Sequence, residues 1–351
     1  MRLLFGALAC AMSILVSAPT PAQAPLESQS EATPPERTPI ELFTAPHPKR
    51  IDMESYPSDE VGNEGWVELA FMIDTRGKPF EVTVIRSTGK PAFEKVAVKS
   101  IEHSTFEPGK LNGAPVESGY EMKYLFTGGR EHPSSGANLA FVNAYKALVK
   151  AVNSGDRATA DEAMQRLKIT NLYEDAYFGI ATYQYASKFG TEGQQLEGLR
   201  RAIAREDDAR YLPRDLFRFA LFTCMQLEVK DHQYAEAIAT WKRLEKAGID
   251  KDSAARIRET IAKLEKIRTD DSVYVVSGQI SDSNWYLHLF KRRFQAVVSE
   301  GYISEVRLRC DTRHWFFPFD AKLQYEINSK DRECSIELLG APGTQFKLMQ
   351  F

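Results

Sequence analysis

The sequence predicts a multidomain α+β protein with three folded parts in series. Residues 51–128 alternate apolar and polar residues in strand-like runs around one helix-like segment. Residues 137–268 repeat apolar residues at helical spacing, and residues 272–351 return to alternating runs with turn residues between them. A chain of 351 residues, 43% of them hydrophobic, can bury several cores. We therefore expect a ββαβ domain, an all-α helical-repeat domain and a small antiparallel β-sandwich or barrel.

The first 24 residues read as a targeting segment. Arg2 precedes an apolar run, Leu3–Ala18, that is about as long as a signal-peptide core and short for a membrane span. Ala22–Ala24 has the small-x-small pattern of a cleavage site, but Pro25 would follow the cut. We expect export to the periplasm, with residues 1–24 either a cleaved signal peptide or an uncleaved inner-membrane anchor.

Residues 25–50 are rich in Pro, Ser, Thr and Glu and show no apolar period. This composition predicts an extended, disordered linker whose simplest role is that of a spacer. At about 3.1 Å per residue its reach is roughly 80 Å, which we estimate to be less than the width of a periplasm.

The ββαβ pattern runs from Tyr56 to Phe126. The first strand places alternate apolar residues on one face, a turn at Gly77 follows, and a second alternating strand ends in a polar Ser-Thr-Gly. Pro91 suits the first turn of a helix, which carries apolar residues at i, i+3, i+4, i+7 and i+8. A last alternating run, from Val116, supplies the third strand.

These residues together resemble the TonB C-terminal domain family. The resemblance lies in Tyr56-Pro57, the Gly-Trp-Val strand start at Gly65, the Asp-x-x-Gly turn, the Ser-Thr-Gly and the Phe106-x-Pro segment with Asn-Gly-x-Pro-Val after it. It covers about 75 residues by our reading of the pattern. Residues 62–64 and 103–105 depart from that pattern, so partner specificity can differ.

The resemblance implies strand addition: the domain receives an extended peptide, the TonB box of an outer-membrane receptor, beside its last strand. The expected contact strand runs from Glu117 to Leu125, and its predicted peptide-binding residues are Glu117, Gly119, Glu121, Lys123 and Leu125. Two alternatives remain open, because the same strand could be only the third strand of the sheet or could pair with a second copy as a homodimer edge.

The helical region repeats a pattern of apolar residues. Ala160, Leu196 and Ala237 begin three similar sets, and the segment 234–248 resembles the second half of a tetratricopeptide (TPR) repeat. We expect a TPR-like array of helix pairs that binds a protein ligand or sets a distance.

Export to an oxidising compartment favours a disulfide between Cys310 and Cys334, since both lie on predicted strands of one small domain. Cys224 lies on an apolar helix face and is predicted to be a buried thiol.

The sequence carries no recognisable catalytic, metal or cofactor motif. The six histidines are not at metal-ligand spacing, and no phosphate-binding glycine loop or nucleophile elbow is present. A formal net charge of -3 gives no basic field for nucleic acid. We therefore expect a binding protein rather than an enzyme, with no cofactor.

Two functions follow from these expectations. One is a TonB-type energy transducer that engages an outer-membrane transporter in support of transmembrane transport. The other is a soluble periplasmic scaffold or adaptor that binds envelope proteins without transducing energy. The fate of the targeting segment separates them, because only an anchored chain can transmit force.

Overall fold

The computed structural model describes residues 42–128, 134–204, 211–328, 330–331 and 333–351. The predicted targeting segment and most of the predicted linker, residues 1–41, lie outside this range. Among the described helices, none is long and apolar enough to cross a membrane.

The N-terminal β domain comprises residues 42–128. Its central sheet has the order β4-β3-β8, with β3 antiparallel to both neighbours, and α1 packs on one face over a core that includes Phe71, Phe93 and Phe126. The elements are β1 (Phe43–Thr44), β2 (His47–Arg50), a short 3-10 turn (Ser58–Glu60), β3 (Gly65–Ile73), β4 (Pro79–Ser87), α1 (Pro91–His103), β5 (Thr105–Glu107), β6 (Gly109–Leu111), β7 (Ala114–Val116) and β8 (Ser118–Phe126).

The end of the predicted linker differs from our expectation. Residues 43–50, assigned to the disordered linker, form β1 and β2, which pair with β6 and β5. Leu42 N–H also donates to the Asn112 side chain, at 2.9 Å. The pairing could not be predicted from the polar, proline-containing composition of this stretch. Main-chain hydrogen bonds to a neighbouring strand require no apolar side chains, so they leave no apolar pattern in the sequence.

The helical domain spans residues 139–267 and contains seven helices among the residues described. Five of them begin at a residue whose side chain accepts a hydrogen bond from the first turn: Asn138, Asp156, Asn171, Thr191 and Asp250. The helices are α2 (Leu139–Ser154), α3 (Arg157–Arg166), α4 (Leu172–Phe189), α5 (Glu192–Ile203), α6 (Arg214–Lys230), α7 (Tyr234–Ala247) and α8 (Lys251–Ile267). Consecutive helices pack side by side, and the TPR-like assignment stays a prediction.

The C-terminal β domain spans residues 274–351 and consists of two antiparallel sheets, in the orders β10-β15-β12-β13 and β14-β11-β16-β9, on a shared apolar core. Cys310 and Cys334 form a disulfide between the facing ends of β12 and β15, with their Cα atoms 4.0 Å apart, as predicted. The strands are β9 (Tyr274–Gln279), β10 (Asn284–His288), β11 (Arg293–Glu300), β12 (Ile303–Cys310), β13 (His314–Pro318), β14 (Tyr325–Glu326), β15 (Cys334–Gly340) and β16 (Gln345–Gln350).

Two of the apolar cores contain residues from more than one domain. The core of the C-terminal β domain includes Tyr234, Ile238 and Leu264 of the helical domain, so these two domains share one core. Trp66 of β3 belongs to the main core of the helical domain. The core under α1, in contrast, contains only residues of the N-terminal β domain.

Candidate functional site

The predicted contact strand lies at an edge of the central sheet. β8 pairs along its whole length with β3, from Ser118 opposite Ile73 to Phe126 opposite Gly65. Within the part of the chain that is described, no strand pairs with the other side of β8. The sheet therefore ends at β8, as strand addition requires.

The direction of the free backbone groups follows from one hydrogen bond. Thr88 N–H donates to Trp66 C=O at 3.1 Å, so the backbone groups of Trp66 point toward β4. Backbone groups alternate in direction along an antiparallel strand, and Val67, the next residue, therefore points toward its β8 partner Tyr124. The outward-pointing N–H and C=O groups of β8 then belong to Gly119, Glu121, Lys123 and Leu125.

The side chains of β8 alternate between the two faces of the sheet, and the two faces have different surroundings. Tyr124 and Phe126 are buried under α1, and Tyr120 and Met122 pack against the same core. The five predicted site residues occupy the opposite face of the strand. The C-terminal β domain covers much of this face, with contacts at Glu117, Gly119 and Glu121.

The covering surface is the polar face of the sheet β10-β15-β12-β13. Residues directly opposite each other in an antiparallel pair share a face, and so do residues two apart on a strand. The strand registers place two polar rows on this face: His288, Ser335, Arg309 and His314 in one, and Tyr286, Glu337 and Arg307 in the next.

His288 joins all three domains. Its Nε2 lies 2.9 Å from Glu121 Oε1 on β8, and its Nδ1 lies 3.1 Å from Glu236 Oε1 on α7. Tyr286 O–H also donates to Glu121. Burial alone would lower the pKa of His288, but the Glu121 charge and hydrogen bonds to Glu121 and Glu236 raise that pKa well above its usual value. The two carboxylates therefore favour the protonated, cationic form of the imidazole.

Glu121 shows the matching shift. Burial opposes its ionisation, but the His288 charge and the hydrogen bonds from His288 and Tyr286 lower the pKa of Glu121 to about 2. Glu121 is thus a carboxylate held by the chain's own C-terminal β domain.

Other predicted residues have partners as well. Glu117 Oε2 lies 3.3 Å from His314 Nδ1, and the other ring nitrogen of His314, Nε2, lies 3.7 Å from Glu81 Oε1. Lys123 pairs with Glu68 at 3.2 Å, within its own sheet. Leu125, near the end of β8, is 40% exposed.

A buried polar network joins the two sheets beside this edge. Arg309 Nη1 lies 2.8 Å from Glu337 Oε2, and both side chains are almost fully buried. Thr83 O–H donates to Glu337 at 2.6 Å, and Asn284 donates to it at 2.7 Å. Arg309 also donates to the Glu81 carbonyl at 3.2 Å. Arg309 and Glu337 were not singled out from the sequence, where alternating charges on a strand read as a solvated face.

A cavity of about 230 Å³ lies between β8 and the C-terminal β domain. Gly119, Tyr120 and Glu121 line one side, and the disulfide-linked strand ends line the other. A Cβ atom at Gly119 would lie 3.1 Å from the Cys310 carbonyl oxygen, so the two walls nearly touch there. The structure therefore brings Gly119 and Glu121 together with a second domain, which sequence reasoning did not foresee.

Two other clusters of ionisable groups have local partners. Asp52, Glu54 and His103 converge closely enough to hold a metal ion, but Glu54 already pairs with Lys99 at 2.9 Å and with His103 at 2.9 Å. Lys291 is buried with its ammonium on Asp270 and on backbone oxygens, so this part of the basic run at 291–293 faces the interior.

A sheet that ends in such a strand presents unpaired backbone N–H and C=O groups, and several peptide-binding domains use an edge of this kind. Residues 55–127 match the family model for the Gram-negative bacterial TonB protein C-terminal domain. The chain therefore carries a TonB C-terminal domain, which confirms the resemblance in the sequence and indicates a cell-envelope protein. A comparison with curated proteins finds no match to the chain.

Proposed function

We propose that this protein binds an extended peptide along the outer edge of β8, and that the peptide is a TonB-box-like segment of an outer-membrane transporter. The observation that carries the proposal is the position of β8, which pairs with β3 on one side and presents the backbone groups of four residues on the other. Main-chain hydrogen bonds supply affinity in this mode and ask little of the peptide sequence. The match to the TonB C-terminal domain supports the class of partner.

The protein acts in this proposal as an exported binding protein of the periplasm, not as an enzyme. The disulfide between Cys310 and Cys334 supports an oxidising compartment. The TPR-like helical domain would hold the module in place or bind a second envelope protein. Homodimerisation through β8 is the competing use of the same edge.

A second function, that of a soluble periplasmic adaptor, is favoured by the contacts between domains. The N-terminal β domain is tied to the helical domain through Trp66, whose indole N–H donates to Asp175 at 2.7 Å. A β domain that is held in place on the helical domain of the same chain is the arrangement that we expect of a scaffold. N-terminal sequencing and fractionation of the mature protein separate the two functions: an intact start in the inner membrane supports a transducer, and a processed soluble protein supports the adaptor.

Peptide binding is tested by the pair Leu125→Pro and Leu125→Ala. Both changes remove the exposed side chain, but only proline removes the outward N–H, so we expect proline to weaken binding about tenfold and alanine to leave it nearly unchanged. The probe is a fluorescein-labelled, acetylated peptide of about nine alternating valine and threonine residues, a length that spans one strand, and the readout is fluorescence anisotropy.

The monomeric state of each variant is measured by light scattering as a control. Equal binding by the proline and alanine variants would exclude strand addition at this end of β8. Loss of a wild-type dimer in the proline variant, without any peptide binding, would assign the edge to homodimerisation instead.

A further inference from the structure

We propose that the contact of the C-terminal β domain with β8 is autoinhibitory: it covers β8 from Gly119 to Glu121, and a peptide gains the whole edge only after the two β domains separate. This inference rests on the proposed function and adds its regulation. We call the stretch Gly119–Glu121 the covered stretch. Leu125, which is 40% exposed, lies beyond it on the same strand.

The path of β10 across the N-terminal sheet is the first argument. Asn284 donates to Thr83 on β4 at 3.1 Å, and His288, four residues further along β10, lies 2.9 Å from Glu121 on β8. Four residues of a strand span about 13 Å, and the two strand spacings from β4 across β3 to β8 add up to about 10 Å. β10 therefore crosses the whole sheet, and its end reaches the outer edge of β8.

β15 crosses the sheet in the same way, since Glu337 accepts a hydrogen bond from Thr83 at 2.6 Å and Cys334 lies beside β8 at the cavity. A Cβ atom at Gly119 would lie 3.1 Å from the Cys310 carbonyl oxygen, so the two domains are in close contact here. A peptide strand about 4.8 Å from β8 would direct alternate side chains to this same face. The close contact therefore obstructs strand addition along the covered stretch.

The composition of the contact is the second argument, because it permits separation. Among the described residues, no buried apolar cluster joins the N-terminal and C-terminal β domains. The buried ion pair of Arg309 and Glu337 lies within the C-terminal β domain, between β12 and β15, so separation leaves it intact and admits water to it. Polar contacts between domains of one chain are the ones at which relative motion is expected.

The attachment to the helical domain is the third argument, because it lies at the other end of the sheet. The Trp66 indole donates to Asp175 at 2.7 Å, and Trp66 pairs with Leu125. Glu121 pairs with Ala70, four residues and about 13 Å further along β3. Rotation of the N-terminal β domain about its Trp66 end would therefore lift the covered stretch away from the C-terminal β domain.

Two hydroxyl groups hold the contact closed and lie outside β8. Tyr286 O–H donates to Glu121, and Thr83 O–H donates to Glu337. The double variant Tyr286→Phe with Thr83→Val, which we call the opening variant, removes both hydrogen bonds and nearly keeps the shape of each side chain. The apparent affinity for a ligand is reduced by the fraction of protein in the competent state, so a larger open fraction raises it.

The first measurement is peptide binding by the full chain, with the fluorescein-labelled valine–threonine peptide and fluorescence anisotropy. We expect the opening variant to bind about tenfold more tightly than the wild type. The matched control is Tyr302→Phe with Thr260→Val, the same two chemical changes at exposed positions away from the contact. We expect this control to bind as the wild type does.

The second measurement detects separation without a peptide. Ala70 is buried on the covered face of β3 and lines the cavity, so a thiol introduced by Ala70→Cys reacts with a maleimide only when the domains separate. We expect labelling about tenfold faster in the opening variant than in the wild type, and faster labelling of the wild type when peptide is added. Ala163→Cys, at a buried position of the helical domain, reports general unfolding and should not respond.

The outcomes separate the two proposals. Faster labelling at position 70 without tighter binding, in a protein that still needs the Leu125 N–H, would overturn the autoinhibitory contact and leave strand addition intact. Equal labelling of the wild type and the opening variant, or equal acceleration at positions 70 and 163, would also overturn it. Absence of peptide binding by both proteins would refute the proposed function and the autoinhibition together.

Discussion

Trp66, on strand β3, connects the N-terminal β domain with the helical domain. Its side chain lies on the face of β3 opposite the core under α1, and it is fully buried in the core of the helical domain. Its indole N–H donates to Asp175 Oδ2 at 2.7 Å, and Arg201 pairs with the same carboxylate at 2.6 Å. Trp66 therefore fixes the N-terminal β domain on the helical domain.

We predict that Trp66→Phe lowers the free energy of unfolding by about 2 kcal/mol, because it removes a hydrogen bond to a buried carboxylate while it keeps most of the apolar volume. Urea denaturation measures the change. Trp285→Phe is the control, since the Trp285 side chain makes an aromatic contact with Phe346 but no hydrogen bond to a described residue. Equal effects of the two substitutions would contradict a special role for the Trp66 donor.

His288 gives a prediction on pH. Its pKa is raised in the folded state, so its charge stabilises the fold fully below its usual value of 6.5 and this contribution is lost as the pH rises through the folded pKa. The partner Glu121, with its pKa lowered to about 2, contributes above its usual 4.5 and loses that contribution as the pH falls. The groups around the imidazole are Glu121, Tyr286 and Glu236.

We therefore expect His288→Gln, which removes the charge, to lower the melting temperature most between about pH 4.5 and 6.5 and progressively less in alkaline solution. Thermal melts over this range measure the difference from wild type. His47→Gln, at an exposed position on β2, serves as the control and should show no such profile. A difference that grows with pH would have the wrong sign and would contradict the assigned charge state.

At the scale of elements, β12 and β15 illustrate an ambiguity of strand patterns. Glu305, Arg307 and Arg309 alternate with apolar residues on β12, which is the pattern of a sheet with one solvated face. The structure buries Arg309 and Glu337 against the N-terminal β domain instead. Alternation shows which residues share a face, but not what covers that face.

We predict that Glu337→Gln destabilises the protein by about 3 kcal/mol, because it leaves the Arg309 charge buried without its counter-ion. Chemical denaturation measures the loss. The exposed Glu300→Gln should change stability by less than about 0.5 kcal/mol. A double change of Arg309→Met with Glu337→Gln should recover part of the loss, and failure to recover would mean that hydrogen bonds from Thr83 and Asn284, rather than the ion pair, dominate.

The order of strands and helix in the N-terminal β domain could be predicted from the sequence, because alternation, turn glycines and a proline at the helix start are local signals. β8 lies at an edge of the sheet, and its use as a peptide contact strand stays a prediction. The pairing of residues 43–50 could not be predicted from the sequence. These residues have no apolar alternation, and their partners β5 and β6 lie about 60 residues further along the chain.

At the scale of the whole molecule, the three domains differ in how they are joined. The helical and C-terminal β domains share an apolar core, and Trp66 connects the N-terminal β domain to the helical domain. The contact between the N-terminal and C-terminal β domains is polar and contains the cavity. Polar interfaces of this kind resemble transient protein–protein contacts, so relative motion of domains is expected at this contact rather than at the shared apolar core.

The α+β class, the TonB C-terminal domain and the disulfide between Cys310 and Cys334 could be predicted from the sequence, because each depends on local periodicity, a series of motifs or residue chemistry. The contacts of Glu117, Gly119 and Glu121 with a second domain were visible only in the folded structure. The two carboxylates contact histidines about 165 to 200 residues away, as read from the numbering. No local pattern carries such a contact, because it depends on how separately folded sheets pack against each other.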